Sequence, residues 1–249
     1  MMRQEYDNYT DEDHEVWSIL YEDQMSHLPS KVTNFYLEGA SIVGFKPDKV
    51  PNFDRVNEGL ESATGWQVYV VPGLIDNKPF FEHLSRKEFP ATTWLRKKSQ
   101  LKYIEEPDMF HDVFGHVPLL SVPAFTDYLQ ALSLITLKYI DNPSVVEVAA
   151  RLYWYTVEFG LIKEDGAVKI YGAGLVSSPG ESRYCVSEDA THVPFNVTEI
   201  FKTPYIKDKY QAQYFVINSY EELFSSIAEI ESLVEEIVSK NEVIEPSYA

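Results

Sequence analysis

Apolar and polar positions along the chain fall mostly into the three- and four-residue steps of amphipathic helices. Behind an acidic start capped by Thr10 or Asp11, Val16, Trp17, Leu20 and Met25 recur at helical spacing, and Pro29 closes the segment. A second helix is predicted over residues 32–37, before turn signals at Gly39, Gly44 and Pro47. A third places Phe53, Val56 and Leu60 on one face, with Gly65 past its end. FTDYLQALSLITLKYI and PSVVEVAARLYWYTVEFGLI read as two long helices, the second carrying Val145, Val148, Ala149, Leu152, Tyr155 and Phe159 on one stripe. In SYEELFSSIAEIESLVEEIVSK, Leu223, Ile227, Ile230, Val234 and Ile237 alternate at four and three, giving about two heptads, too few for a free coiled coil. That helix is expected to pack on its own domain. WQVYVV (66–71), stopped by Pro72-Gly73, and AVKIY (167–171) are strand-prone. No linker-like stretch, internal repeat or low-complexity run interrupts the series. The pattern predicts a mainly α fold with a few short strands, forming a single domain over residues 1–249.

Several polar residues stand out against this pattern. His14 and His27 have polar neighbours and are expected at the surface. Residues 80–96, FFEHLSRKEFPATTWLR, mix aromatics with charge: a helix with a solvated face accounts for Glu82, His83, Lys87 and Glu88. Arg96, beside Trp94 and Leu95, is left as a candidate carboxylate clamp. Residues 105–120, EEPDMFHDVFGHVPLL, set Asp108, His111, Asp112 and His116 among Phe110, Phe114, Val117, Leu119 and Leu120. Ionisable groups rarely sit in such surroundings without a partner. His111 and His116 are five apart, which on an α-helix splays them by about 140°. Gly115 and Pro118 offer a way to distort the backbone and turn both rings to one point.

Glu158 is the only charge in LYWYTVEFGLI, and left unpaired it would cost several kcal/mol or take up a proton. Pairing with Arg151, capping of a backbone group and metal ligation all remain open. Two His and one Glu favour non-haem Fe(II) with open positions over zinc, because the HExxH arrangement of zinc hydrolases is missing. Gly172 and Gly174 follow a strand, but the third glycine of a dinucleotide fingerprint is absent and Pro179 breaks the required helix. A tight loop bringing the hydroxyls of Ser177 and Ser178 close to a ligand fits better.

The net charge of −18 argues against nucleic acid as a partner. No apolar run approaches the roughly 20 residues of a membrane helix. The N-terminus lacks a signal-peptide pattern, and Cys185 alone forms no internal disulfide. Together these predict a cytoplasmic chain. Aromatic residues make up 14%, which suits a dense core or a pocket for flat rings.

PDMFHDVFGHVPLL, YWYTVEFGL and YGAGLVSSPGE, in this order, strongly resemble the pterin-dependent aromatic amino acid hydroxylases, and NYTDEDHEVWSILY is similar to their bacterial branch. The likeness runs from about Trp66 to Cys185. It implies a single catalytic domain, without the regulatory domain and tetramerisation tail of the animal enzymes, and hence a monomer. By motif position it implies His111, His116 and Glu158 as iron ligands with Tyr153 beside the metal. Arg96, held by Asp108, would receive the substrate's α-carboxylate, with Trp154 and Ser177 in the substrate pocket. Gly73, Ile75, Phe80, Asp112 and Glu181 would border a tetrahydropterin. Ile104 departs from the animal phenylalanine hydroxylases, which have a threonine there. The implied reaction consumes O2 and converts L-phenylalanine to L-tyrosine. A tryptophan hydroxylase, a meta-specific phenylalanine hydroxylase and a non-catalytic metal- or aromatic-binding protein are the alternatives; the large Trp154 favours the smaller substrate.

Overall fold

The computed structural model describes residues 2–101, 104 and 106–247; Glu105 of the histidine segment lies outside them. α1 (Asp11–Met25) opens on a capping box in which Thr10 and Asp13 satisfy each other's backbone amides. It is followed by α2 (Asn34–Ile42), α3 (Phe53–Ala63), β1 (Gln67–Val70), α4 (Asn77–Ser85) and β2 (Glu88–Ala91). α5 (Pro123–Lys138) and α6 (Pro143–Tyr153) form the helical centre. Then come β3 (Leu161–Glu164), β4 (Ala167–Ile170), α7 (Ala173–Ser177), α8 (Glu181–Tyr184), β5 (His192–Pro194), α9 (Val197–Lys202), β6 (Tyr214–Ile217), α10 (Tyr220–Ser225) and α11 (Ile227–Lys240). The fold is mainly helical with short strands, as the periodicity predicts.

β1 and β2 pair in parallel, Gln67 opposite Glu88. The second sheet has the order β4-β3-β6-β5: β3 and β4 form an antiparallel hairpin, and β6 runs parallel to both β3 and β5. Among the described residues no helix is long and apolar enough to cross a membrane. The C-terminal apolar seam packs inward as expected, but it is broken at Ser226 into α10 and α11, with Leu223, Ile230, Val234 and Ile237 buried.

Other expectations are corrected. The second helix starts later and runs longer than residues 32–37. Residues 80–96 are not one helix: Lys87 takes a left-handed φ of 62° and Glu88 begins β2. His83, Arg86 and Glu88 share one hydrogen-bonded cluster, with His83 Nδ1 2.8 Å from Glu88 Oε2. His14 and His27 stay partly exposed, but each has a hydrogen-bond partner. His14 Nδ1 accepts the Val50 amide at 3.1 Å, and His27 Nε2 meets Ser182 Oγ at 2.9 Å.

The largest departure lies in the two stretches that carry the candidate ligands. Phe110–His116 and Trp154–Glu158 are π-helical, with i to i+5 hydrogen bonds; the Phe159 amide donates to Trp154 O at 2.8 Å. A π turn brings residues five apart onto one face, as an α turn does for residues four apart. No break at Gly115 or Pro118 is needed to reunite His111 and His116. Gly115 serves a close approach instead, since a Cβ there would stand 2.9 Å from Ala173 O in α7.

The aromatic load is mostly core behind the first π segment. Phe110 and Phe114 stack at 4.5 Å, Trp17 packs edge-on against both, and the buried Tyr36 hydroxyl donates to Phe114 O at 2.7 Å. The second π segment is held by the returning chain: Gly172 passes so close that a Cβ would lie 2.4 Å from Glu158 O and 2.5 Å from Gly160 N. Both clashes are with backbone and cannot be relieved by a rotamer change. Gly172→Ala is therefore expected to destabilise the fold by about 3 kcal/mol, the upper range for overpacking. Denaturant unfolding measures this, and a loss below about 0.5 kcal/mol would show that the two strands of backbone can part freely.

Candidate metal centre and its cleft

The two π segments meet so that His111, His116 and Glu158 offer donor atoms within 4.8 Å of one another. His116 Nε2 lies 3.1 Å from Glu158 Oε1, His111 Nε2 lies 3.7 Å from Glu158 Oε2, and the two Nε2 atoms are 3.3 Å apart. The tautomer of His111 follows from its other nitrogen. Ser177 Oγ donates to Ala173 O at 2.9 Å, so its oxygen accepts from His111 Nδ1–H, also at 2.9 Å. His111 Nε2 is then the bare nitrogen. A bare imidazole nitrogen, a second imidazole and a carboxylate converging on one point make an N,N,O donor set, so the residues present fit a metal. With only three protein donors of N and O type, positions remain for small ligands, which suits ferrous iron.

Electrostatics support a charged Glu158. Burial pushes its carboxyl up, but His116, His111 and the Gly174 amide more than reverse this and hold it below the usual carboxylate range. Arg151 is not its partner. That guanidinium pairs with Glu147 at 2.8 Å and donates to the carbonyls of Phe201 and Glu245. Phe89 covers His116 with ring centroids 4.7 Å apart.

The ligands open into a cleft of about 260 Å³ that is also bordered by Gly73, Ile75, Phe80, Asp112 and Tyr153. Phe80 meets Tyr153 edge-on at 5.3 Å. Burial raises the Tyr153 phenol well above its ordinary value, so it stays protonated. Asp112 Oδ2 accepts both the amide (2.8 Å) and the hydroxyl (2.9 Å) of Thr92. Burial nevertheless raises its carboxyl.

Arg96, Asp108, Trp154, Ser177 and Glu181 do not border this cleft. Asp108 is fully buried and takes Arg96 in a bidentate grip, Nε to Oδ2 and Nη2 to Oδ1, both 2.8 Å. Its carboxylate also accepts the Arg96 amide at 2.9 Å and the His111 amide at 3.3 Å, tying the arginine to a ligand. Trp154 contacts the rings of Phe159 and Tyr205, each 4.6 Å away, and its indole N–H donates to Gln211 Oε1 at 3.0 Å. Ser177 closes the short helix α7 rather than lying in a loop.

Glu181 is turned inward: Oε1 accepts the Tyr214 hydroxyl (2.7 Å) and the Gln211 amide (3.1 Å). Burial raises its carboxyl, outweighing both hydrogen bonds. A folded-state value above the unfolded one means stability that is complete below about pH 4.3 and lost as pH rises through the folded value. Glu181→Gln keeps an oxygen for both donors and removes the charge. It should therefore melt higher than the parent at neutral pH and converge with it towards pH 4; a lower melting temperature at pH 7 would show that the ionised carboxylate is wanted.

Thr92, Phe89, Gln211 and Tyr214 contribute to the site without any sequence signal of their own. They lie in or near short strands, where a polar or aromatic residue looks like ordinary strand composition.

A model of the biopterin-dependent aromatic amino acid hydroxylases matches residues 5–242. The phenylalanine-4-hydroxylase of Ralstonia nicotianae is 47% identical over 90% of this chain and 72% of its own length. That of Chromobacterium violaceum is 46% identical over 90% and 76%. The crystal structure of the Chromobacterium violaceum enzyme with bound Fe(III) superposes with a TM-score of 0.91 at 42% identity, covering 100% of this chain and 90% of that one. The chain belongs to the biopterin-dependent aromatic amino acid hydroxylases.

Proposed function

We propose that this protein is a phenylalanine 4-monooxygenase, converting L-phenylalanine to L-tyrosine with O2 and a tetrahydropterin at an iron held by His111, His116 and Glu158. The observation that carries the reading is the convergence of these three donors at one end of a cleft, with the Arg96–Asp108 pair anchored to the His111 amide. Bound there, ferrous iron would supply the activation of O2 and the pterin the two electrons that accompany insertion of one of its oxygen atoms into the ring.

The chain's own residues position and shield. Arg96 gives its Nε hydrogen and one Nη2 hydrogen to Asp108, which among the described residues leaves N–H groups on Nη1 and Nη2 to receive the amino acid's α-carboxylate. With Ile104 offering no hydroxyl, that arginine carries more of the carboxylate binding. Trp154 and Ser177 belong to the substrate side, and the width of the indole favours phenylalanine over tryptophan. On the cleft side, Phe80, Gly73, Ile75 and Asp112 would hold the pterin, Phe80 offering a flat ring to a flat ring and Asp112 a polar edge. Tyr153, protonated and beside the ligands, excludes bulk water from the reacting ring. Residues 1–249 act as one catalytic domain, monomeric and cytoplasmic.

The test is product analysis after anaerobic iron loading, with tetrahydropterin, O2 and either phenylalanine or tryptophan. Para-tyrosine that depends on both iron and pterin is expected. Meta-tyrosine or hydroxytryptophan would replace the ring position or substrate. No hydroxylated amino acid from a folded, iron-loaded protein would overturn the enzyme in favour of a binding protein.

A further inference from the structure

The Trp154 indole stacks on Tyr205 and meets Phe159 at a tilt, both at 4.6 Å, contacts that restrain its plane but that a ring flipped about χ2 would largely keep. The direction is set by one hydrogen bond, from the indole N–H to Gln211 Oε1 at 3.0 Å. Gln211 is 3% exposed and its amide cannot turn over. Its Nε2 donates to Ile206 O at 2.8 Å and lies 3.4 Å from Lys209 O; reversed, the amide would set its oxygen against two carbonyls and its NH2 against the indole N–H. Its backbone is held as well, through the amide bond to Glu181 Oε1, and Tyr214 grips the same oxygen at the start of β6. A single buried side chain thus links the segment between α9 and β6 to the indole four residues before Glu158.

We infer that Gln211 is a positioning residue for the amino-acid substrate, acting through Trp154 by orienting its indole. The inference rests on the proposed reading that Trp154 faces the substrate ring. The chemistry it serves is recognition of a flat aromatic side chain, and the pterin side of the cleft is independent of it.

The experiment is a double-mutant cycle on the iron-loaded enzyme with Q211L, W154F and the pair. Phenylalanine affinity is read twice, as KM and by anaerobic calorimetry, with pterin KM, iron content and melting temperature measured alongside. Loss of one oriented hydrogen bond predicts that Q211L weakens phenylalanine about fivefold by both readings, while pterin KM and iron content stay within about twofold. W154F, which lacks the N–H, should give a shift of similar size, and the double variant should be no worse than W154F. Equal losses from Q211L in the parent and in the W154F background would overturn the inference, as would a parallel rise in both Michaelis constants. Should Q211L not fold, Q211M takes its place; W154F alone also decides, since unchanged phenylalanine affinity there removes the link. A parent enzyme that makes no tyrosine refutes the proposed function itself, whereas an active parent with an indifferent Gln211 refutes only this step.

Discussion

Glu158→Ala is expected to lower tyrosine formation by about 10³-fold or more, because several kcal/mol of metal-supplied stabilisation are at stake and each 1.36 kcal/mol is a decade. The fold should barely notice. The Glu158 side chain is partly exposed to the cleft, and its removal relieves a desolvated carboxylate while costing the bond to the Gly174 amide. Iron content after reconstitution should fall together with activity, and the melting temperature of the metal-free protein should move by no more than a few degrees. His111→Ala should behave alike, since its imidazole contacts Ser177 and the other ligands. Full tyrosine formation in either variant would remove that residue from the ligand set.

Asp108→Ala is expected to be the most destabilising change at the site. Asp108 has no exposure, and the Arg96 side chain retains 9%. Removing the carboxylate strands a buried guanidinium and leaves the Arg96 and His111 amides without their acceptor, at a cost of about 3–5 kcal/mol. For a chain of this length that is a fall in melting temperature on the order of 10 °C, and the phenylalanine KM should rise with it. Arg96→Ala strands the opposite charge and should also lose stability. The double variant with both replaced should recover part of the stability while keeping the high KM, which separates the structural role of the pair from its role in binding. A melting temperature for Asp108→Ala within a degree or two of the parent would mean that water reaches the arginine and satisfies it.

Much of this was legible in the sequence because periodicity and isolated charge report burial directly. α1, α3, α5 and most of α6 follow from their apolar stripes, and Glu158 stands out because no other charge shares its stretch. What was not legible depends on partners distant in the chain. Nothing in LYWYTVEFGLI says that its helix widens at Trp154 and becomes a strand at Leu161, since both states accept the same apolar residues. Glu88 reads as part of a helix's solvated face because the strand character of Glu88–Ala91 comes from pairing with β1, not from composition. The inward turn of Glu181 follows from Tyr214, more than thirty residues away. Motif resemblance supplied the expected roles, and geometry supplied who holds whom.

The wide turns at Phe110–His116 and Trp154–Glu158 act as a ruler for chain length. His111 and His116 are in step only while five residues make the turn, and so are Tyr153 and Glu158, which both face the cleft. A substitution between them changes local packing, but loss or gain of one residue changes the count and swings the second side chain by roughly 100° at ordinary helical winding. For anyone grafting or shortening this centre, the number of residues between the ligands belongs to the specification as firmly as the ligands themselves.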